Sequence, residues 1–364
     1  MVSVSSAVPK LPDGNIDIAQ WSQRLVQGHA RLQHEPLEEA ATWLSGFGDS
    51  LLLQSLELAE MVAELRLDQA AVLAAMTYPG LRRSLFDEDG LQRRVGDQAT
   101  RLCVSVATLA TSSLLEVSDT PVLGGEDNRQ VENIKRMMVS LIQDFRVAVI
   151  KLAERVQALR YAKDYDEARQ QRIAREAASV FAPLANRMGM WQLKWELEDL
   201  SLRYLREDIY LGIAKQLKRR RQEREEQIAE LVEVIQGQLA KAGIKARVKG
   251  RAKNIFSIWR KMQSKGIALD DVHDVRAVRI VVNDLASCYA SLGIIHSTWS
   301  HVPSEFDDYI AVPKENGYQS IHTAITFDDG RSLEVQIRTR EMHENAELGV
   351  CAHWAYKEGT DEPD

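Results

Sequence analysis

Apolar residues recur at helical spacing through roughly the first 200 residues of the chain. Such spacing is typical of amphipathic helices that each turn one face to a core. The clearest predicted helices are 50–65, 96–109, 128–159 and 169–185, with turn signals at Tyr78-Pro79-Gly80, Thr120-Pro121 and Gly124-Gly125. A further long helix, 204–242, contains the charge run KRRRQEREE, which is typical of a solvated face. The pattern predicts a helical first half.

Beyond residue 242 the pattern changes to alternating strands and helices, which indicates α/β organisation. Residues 318–327 and 331–338 alternate apolar and polar side chains with period two, and Asp328-Asp329-Gly330 between them is a turn signal. They are predicted to pair as an antiparallel hairpin. Its apolar face comprises Ile321, Ile325, Phe327, Leu333, Val335 and Ile337. Its opposite face comprises Tyr318, Ser320, His322, Glu334, Gln336 and Arg338.

The polar face of this hairpin combines an aromatic ring, an imidazole, a carboxylate, an amide and a guanidinium. A solvated sheet surface is the ordinary explanation for alternation of this kind. The combination of groups favours a binding or catalytic site instead. A second carboxylate, Asp274, opens the apolar run DVRAVRIVV. A carboxylate at the mouth of a buried strand suits a metal ion that bridges phosphate oxygens, and a capping role is the alternative.

Residues 241–265 contain nine Lys or Arg and no Asp or Glu, in a chain of net charge -7. This asymmetry calls for a polyanionic ligand or a solvated helix. The window predicts a strand at 244–248, a turn at Gly250, and a helix from about Lys253 with Lys253, Ser257 and Lys261 along one face. Backbone amides, helix dipole and ammonium groups would then converge on a triphosphate. Nucleic-acid binding is the competing interpretation, but Phe256 and Trp259 are not spaced as a stacking platform.

Five segments resemble, in chain order, the synthetase domain of the long RelA/SpoT homologues, which make the alarmones ppGpp and pppGpp. They are GRAKNIFSIWRKM, DVHDVRAVRIVV, EFDDYIAVPKENGYQSIHT, EVQIRT and AELGVCAHWAYKEG. The resemblance implies a nucleotidyltransferase-like, mixed-sheet α/β domain. It also implies transfer of the β,γ-diphosphate of ATP to the 3′-hydroxyl of GDP or GTP, with Mg²⁺ as cofactor and AMP as the second product.

The resemblance also assigns roles to individual residues. Asp274 and Glu334 would hold Mg²⁺, and Glu334 would take the 3′-hydroxyl proton. The ATP-binding residues would be Arg251 and Arg279 around adenine with Lys253, Ser257 and Lys261 on the phosphates. The residues around GDP or GTP would be Lys314, Asn316, Tyr318, His322, Gln336 and Arg338, with Tyr318 stacked on guanine. Strict alternation from Asp274 places Arg279 on the other strand face, which weakens its assignment relative to Arg251.

The segment Glu305-Phe306-Asp307-Asp308 is acidic where bifunctional family members carry Arg-x-Lys-Asp. By resemblance, the acidic form is that of monofunctional RelA-like synthetases. Replacing two cations by two anions should weaken attraction for an extra acceptor phosphate and raise the demand for Mg²⁺. GDP is therefore expected to be preferred over GTP, with Glu305, Asp307 and Asp308 as the acceptor-preference motif.

The helical half resembles the HD-type hydrolase domain of the same family, with its metal ligands replaced. The family pattern places Gln54 at an isolated His, Tyr78-Pro79 at a His-Asp pair, Arg82-Arg83 at a Glu-Asp pair and Glu154 at a later Asp. Residues 35–272 contain no histidine, so a His-Asp metal site cannot form there. The sequence therefore predicts an inactive, pseudo-hydrolase domain and a chain with no ppGpp hydrolase activity.

These interpretations predict two domains, a helical HD hydrolase-like domain with bridging helices at 1–195 and a synthetase domain at 196–364. A composition of 45% hydrophobic and 27% charged residues is ordinary for a globular protein. Three scattered cysteines form no metal or disulfide pattern, and no signal peptide or long apolar run is present. The chain is therefore expected to be cytoplasmic, without membrane contact.

Long family members continue into a regulatory half that senses ribosome and tRNA, so these partners are expected through a segment beyond this chain. An alternative to the enzyme is a non-catalytic guanine-nucleotide-sensing or ribosome-docking module. That alternative predicts loss of Asp274 or Glu334, and both are present. The sequence favours the synthetase.

Overall fold

The computed structural model describes residues 8–111, 144–219, 221–252, 254–267, 269, 276–327 and 332–352. The chain separates into two compact units. One comprises Met1–Ala185, Gln192–Leu197 and Val350–Asp364, and the other comprises Asn186–Trp191 and Glu198–Gly349. Within the described ranges, no helix is long and apolar enough to cross a membrane.

The first unit is helical, as predicted. Its helices are α1 (Ile18–Gly28), α2 (His34–Ser45), α3 (Asp49–Glu64), α4 (Gln69–Arg82), α5 (Glu88–Thr111), α6 (Phe145–Tyr161), α7 (Glu167–Glu176) and α8 (Ala182–Arg187). A π-helical turn, Ala177–Phe181, joins α7 to α8. Several helices begin at an aspartate whose carboxylate accepts a hydrogen bond from an N–H of the first turn, for example Asp17 and Asp68. The last two residues of α8, Asn186 and Arg187, belong to the second unit, and the next helix, α9 (Trp191–Leu205), also has residues in both units.

The predicted turn at Tyr78-Pro79-Gly80 is wrong, because α4 continues through it to Arg82. Proline removes one helical N–H donor, but here it lies near the end of the helix and in the buried core. Tyr78 is only 1% exposed, so packing outweighs the local preference. The predicted helix 96–109 is the second part of α5, which is kinked where Gly96 has φ +79. The signals at Thr120-Pro121 and Gly124-Gly125 lie outside the described residues.

The second unit is built on a mixed sheet. Its strands are β1 (Ala246–Ala252), β2 (Arg276–Val282), β3 (Ser300–His301), β4 (Asp307–Asp308), β5 (Ile321–Thr326) and β6 (Ser332–Thr339). The strand order is β1-β2-β6-β5-β3, with β4 paired to β5. Strands β2 and β6 are parallel, and the other pairs are antiparallel. Its remaining helices are α10 (Glu207–Arg219), α11 (Arg221–Lys241), α12 (Ile255–Lys265), α13 (Leu285–Thr298) and α14 (Arg340–Leu348).

The predicted hairpin is confirmed as β5 and β6, in a register that places Ile321 opposite Ile337 and Thr326 opposite Ser332. The turn at Asp328-Asp329-Gly330 lies outside the described residues. The predicted apolar face is buried at Ile321, Ile325, Leu333, Val335 and Ile337, with Phe327 partly buried against it. Alternation along the two strands therefore identified the core face correctly.

The predicted turn at Gly250 is wrong, because β1 runs through this residue and pairs it with Val278. A Cβ at position 250 would lie 2.5 Å from Ile228 Cγ2 on α11, so glycine is needed for close packing of helix on strand. The single helix predicted at 204–242 is interrupted near its start, because α9 ends at Leu205 and Arg206 has non-helical backbone angles of φ -143 and ψ 64. It is followed by α10 and α11, and residue 220 between them lies outside the described residues.

Candidate functional site

The polar face of the hairpin is covered rather than solvated. Gln336 is 1% exposed and lies opposite His322 in the strand register. Its Nε2 donates to Glu334 Oε1 at 2.7 Å, and His322 Nδ1 lies 3.8 Å from the same oxygen. Burial lowers the pKa of His322 to about 4, despite the opposing effect of Glu334, so the imidazole is neutral near pH 7. A carboxylate is thus held between an amide and a neutral histidine.

The donor groups around Glu334 fit a hard cation such as Mg²⁺. Gln336 Oε1 is buried and has no hydrogen-bond partner among the described residues, which leaves an oxygen lone pair next to the Glu334 carboxylate. Carboxylate and amide oxygens are the ligands such ions prefer. Asp274 lies outside the described residues, and the described part of the chain contains no group of three or more His, Cys, Asp or Glu placed to bind a metal. Among the described residues, the oxygen atoms that suit a Mg²⁺ ion are therefore those of Glu334 and Gln336.

Tyr318 sits in an aromatic pocket next to this carboxylate. Its hydroxyl is 2.9 Å from His322 Nε2, and its ring meets Trp191, Tyr309 and His322 edge-on at centroid distances of 5.3, 6.2 and 5.7 Å. Lys314 Nζ lies 4.1 Å from the Tyr309 ring centroid and 5.7 Å from that of Tyr318. The sequence prediction missed Trp191 and Tyr309. Tyr309 is adjacent to the acidic motif and could have been found there, whereas Trp191 is distant in sequence and carried no signal.

A tight turn positions the residues before β5. Lys314 accepts a backbone hydrogen bond from Gly317 N at 2.8 Å, and Gly317 has φ +75, which favours glycine. Asn316 Oδ1 accepts from Tyr318 N at 3.3 Å, and its Nδ2 donates to the Asn186 carbonyl at 2.9 Å. The structure thus brings Lys314, Asn316, Tyr318 and His322 together. The Asn316 side chain stabilises the turn.

The predicted ATP-binding residues lie on β1, β2 and α12. Arg251 and Arg279 belong to the paired strands β1 and β2, and Ser257 and Lys261 are half-buried on α12. Lys253 lies outside the described residues.

The amides expected to cradle phosphate at the start of α12 are already engaged. Ile255 N and Phe256 N donate to the Asp199 carboxylate at 3.3 and 2.7 Å. A carboxylate is a natural partner for the free N–H groups of a helix N-terminus. Asp199 comes from α9, and the sequence pattern gave no sign of it.

The acidic motif is divided between two structural roles. Glu305 Oε1 lies 2.7 Å from Lys265 Nζ, and its Oε2 lies 3.5 Å from Lys261 Nζ. Asp308 Oδ1 accepts from the N–H groups of Ile310 and Ala311 at 3.0 and 2.9 Å, while its Oδ2 accepts from the Tyr289 hydroxyl at 3.0 Å. Asp307 is exposed and lies opposite His322. The motif therefore contacts the lysines of α12 through Glu305 and stabilises its own turn through Asp308.

Two arginines, a histidine and a glutamate form a group that we call the arginine cluster: Arg279, Arg338, His343 and Glu347. Glu347 Oε1 accepts from Arg279 Nη1 at 3.1 Å and from Arg338 Nη2 at 3.2 Å. Arg338 Nη2 also donates to His343 Nδ1 at 2.7 Å. Because both arginines reach one oxygen, Arg279 lies on the same side of the sheet as Arg338, the side of the candidate site. Asp274, from which the alternation was counted, lies outside the described residues. The sequence prediction missed Glu347 and His343.

The positions that resemble hydrolase ligands converge in the helical unit. They lie on α3, α4, α6 and the residue after α4, and comprise Gln54, Tyr78, Pro79, Arg82, Arg83 and Glu154. The Glu154 carboxylate is 5% exposed and lies 2.8 Å from Arg82 Nη1, 2.9 Å from Lys151 Nζ and 2.7 Å from Arg155 Nε. Arg83 Nη2 donates to Gln54 Oε1 at 2.5 Å, and Lys151 Nζ lies 3.5 Å from the Tyr78 hydroxyl.

We expect Glu154→Gln to destabilise the helical unit by about 3–5 kcal/mol, because it leaves the buried charges of Lys151 and Arg155 without their shared anion. The cationic neighbours hold the pKa of Glu154 far below its usual value of 4.5, even against burial. Its stabilising effect is thus present above pH 4.5 and declines as pH falls further. Urea unfolding followed by circular dichroism measures the loss, with the exposed Glu64→Gln as control. Equal stability of the two variants would contradict the role assigned to Glu154.

Comparisons with known proteins cover both units. A family model described as a region found in RelA / SpoT proteins matches residues 250–361, and an HD-domain model matches residues 30–191. The GTP pyrophosphokinase of Escherichia coli (strain K12) is 47% identical over 309 residues, which is 85% of this chain and 41% of that protein. The GTP pyrophosphokinase of Myxococcus xanthus is 38% identical over 352 residues, covering 96% of this chain and 44% of that protein.

The chain belongs to the RelA/SpoT family. Its fold is that of the family as predicted, a helical HD domain followed by a mixed-sheet synthetase domain. It spans less than half the length of the curated relatives that it matches.

A third relative corrects one prediction. The guanosine-3′,5′-bis(diphosphate) 3′-pyrophosphohydrolase of Aquifex aeolicus is 36% identical over 318 residues, which is 87% of this chain and 44% of that protein. Together with the matched HD domain, it overturns the prediction that the chain has no ppGpp hydrolase activity. That prediction was wrong because it inferred loss of an activity from loss of one metal-ligand set, whereas the HD domain itself is present.

Proposed function

We propose that this RelA/SpoT family member is an alarmone synthetase that transfers the β,γ-diphosphate of ATP to the 3′-hydroxyl of GDP or GTP. The products are ppGpp or pppGpp, and AMP. The observation that most supports this proposal is the position of the Glu334 carboxylate. It lies between Gln336 and a neutral His322, beside the aromatic pocket of Tyr318. Relatives named GTP pyrophosphokinase support the assignment.

The reaction requires an activated hydroxyl and an in-line leaving group. We assign Glu334 as the general base, which takes the proton of the ribose 3′-hydroxyl. The 3′-oxygen then forms a bond to the β-phosphorus, while the bond between that phosphorus and the oxygen bridging to the α-phosphate breaks. AMP leaves with that oxygen. The hydrogen bond from Gln336 orients the carboxylate. Burial lowers the pKa of His322 to about 4, so its imidazole is a much weaker base than an ordinary histidine and competes less for the transferred proton.

Mg²⁺ is the cofactor that we propose, held by Glu334 and Asp274. When bound, it would neutralise charge on the triphosphate. For the nucleotides, we propose Arg251, Lys253, Ser257, Lys261 and Arg279 on the ATP side, and Lys314, Asn316, Tyr318, His322, Gln336 and Arg338 on the acceptor side. The aromatic pocket supports guanine stacking on Tyr318, whose ring already lies among Trp191 and Tyr309.

We propose a preference for GDP over GTP, set by Glu305, Asp307 and Asp308. Asp308 is engaged in its own turn and Glu305 with α12, whereas Asp307 is the exposed carboxylate of the three. We therefore assign to Asp307 the repulsion of an additional acceptor phosphate. We also propose 1–195 and 196–364 as the functional domains. Ribosome and tRNA binding, which the resemblance implies for long members, stays a proposal about the whole protein.

The decisive experiment incubates the chain with ATP, GDP and Mg²⁺ and separates the nucleotides by ion-exchange chromatography. We expect ppGpp and AMP in equal amounts, with no product when GDP is omitted. Formation of ADP, or tight GDP binding without turnover, would contradict the proposal. The second outcome would favour the alternative of a non-catalytic guanine-nucleotide sensor.

A further inference from the structure

The two arginines of the arginine cluster lie close together although their charges repel. Arg279 on β2 pairs with Gln336 on the parallel strand β6. Val281, the next residue of β2 on the same face as Arg279, pairs with Arg338. Burial lowers the pKa of both guanidinium groups, that of Arg338 to about 10, and the proximity of the two arginines adds to the shift for Arg338. Arg338 is 2% exposed, so water does little to relieve this repulsion.

A carboxylate from outside the sheet compensates the two cations. Glu347 projects from α14, the helix that follows β6, and its Oε1 accepts from both Arg279 and Arg338. His343 is one helical turn earlier, and burial together with Arg338 lowers its pKa to about 4. The imidazole is therefore neutral near pH 7 and accepts from Arg338 without adding a third positive charge.

Each arginine keeps an unused donor. The Nε–H groups of Arg279 and Arg338 are buried and have no hydrogen-bond partner among the described residues. Buried donors without an acceptor are uncommon in folded proteins, and at a binding site they indicate acceptor atoms of a ligand. With two cations, one carboxylate and a neutral imidazole, the cluster retains positive charge that suits a nucleotide.

We propose that Glu347 is a positioning residue that fixes the orientation of Arg279, and more weakly that of Arg338, for nucleotide binding. This inference rests on the proposed function, because it concerns the same site. The two arginines differ in how much they depend on Glu347. Arg338 also contacts His343, whereas Glu347 is the hydrogen-bond partner of Arg279 in the described part of the chain. Loss of Glu347 should therefore affect the ATP side more than the acceptor side.

The test compares Glu347→Gln with Glu347→Asp in the full chain. Glu344→Gln is the matched control, since Glu344 is exposed on the same helix. Steady-state kinetics gives kcat and the KM of each substrate, and calorimetry gives the affinity for a non-hydrolysable ATP analogue. Because a hydrogen bond to a charged group contributes to orientation, we expect Glu347→Gln to raise the ATP KM about 10-fold. The GDP KM should change less than about 3-fold, and Glu347→Asp should recover most of the ATP affinity.

The outcomes separate this inference from the proposed function. If the unmodified chain makes no ppGpp, the proposed function fails, yet the calorimetric affinity still tests Glu347. The positioning role is overturned if Glu347→Gln binds the ATP analogue as tightly as Glu344→Gln does. Equal losses for ATP and GDP that Glu347→Asp does not restore would also overturn it, since they would indicate general damage to the fold.

Discussion

Glu334→Gln is expected to lower ppGpp synthesis by about a thousandfold, because it removes both the proposed base and a proposed Mg²⁺ ligand while keeping size and shape. Gln336 can still donate to the new side-chain oxygen, so the hairpin should retain its register. The measurement is the initial rate of ppGpp formation at saturating ATP and GDP. Asp274→Asn, predicted from sequence as the other ligand, should have a comparable effect.

The control for this prediction is Glu341→Gln, an exposed carboxylate on α14 that should leave the rate unchanged. Circular dichroism and melting temperature should match among all variants. If Glu334→Gln retained more than a small fraction of the activity, Glu334 would not be the base. If Asp274→Asn alone retained activity, another carboxylate such as Asp307 would have to replace Asp274 as the primary Mg²⁺ ligand.

Tyr318→Ala is expected to raise the apparent KM for GDP by roughly 5- to 150-fold, since stacking of a base on an aromatic ring contributes about 1–3 kcal/mol. The KM for ATP should change far less, because adenine is assigned to Arg251 and Arg279. Steady-state kinetics with each nucleotide varied in turn measures both constants. A similar increase for ATP and GDP would instead indicate collapse of the aromatic pocket around Trp191 and Tyr309.

Tyr318→Phe is the matched control for stacking. The sequence alone predicts that it should be nearly silent, since the ring is retained. From the structure we expect a small loss of GDP affinity in Tyr318→Phe. The Tyr318 hydroxyl lies 2.9 Å from His322 Nε2, and its removal leaves a half-buried imidazole nitrogen without that partner. A loss with Tyr318→Phe as large as with Tyr318→Ala would assign the role to the hydroxyl rather than to the ring.

Local pattern was sufficient to predict the hairpin and its two faces. Side chains alternate strictly along a strand, so a buried apolar set such as Ile321 and Ile337 is readable without the fold. Helical spacing similarly predicted the first unit. Pattern failed at Pro79 and Gly250, where α4 and β1 continue through residues that usually end an element. Pro79 is buried in the helical core, whereas Gly250 is exposed but paired in the sheet and closely approached by Ile228. In both cases tertiary contacts outweigh the local preference.

Sequence by itself determined the family, the order of helical and mixed-sheet parts, and the chemical groups of the candidate site. It did so because motifs and alternation are local properties of the chain. Only the tertiary structure decided which distant groups join that site. Asp199, which accepts hydrogen bonds from amides at the start of α12, and Trp191, which contacts Tyr318, are distant in sequence from the motifs they contact. Glu347 belongs to the motif AELGVCAHWAYKEG, but its position between two arginines cannot be inferred from that motif. Their roles depend on distances between separate elements, which are set by packing rather than by spacing along the sequence.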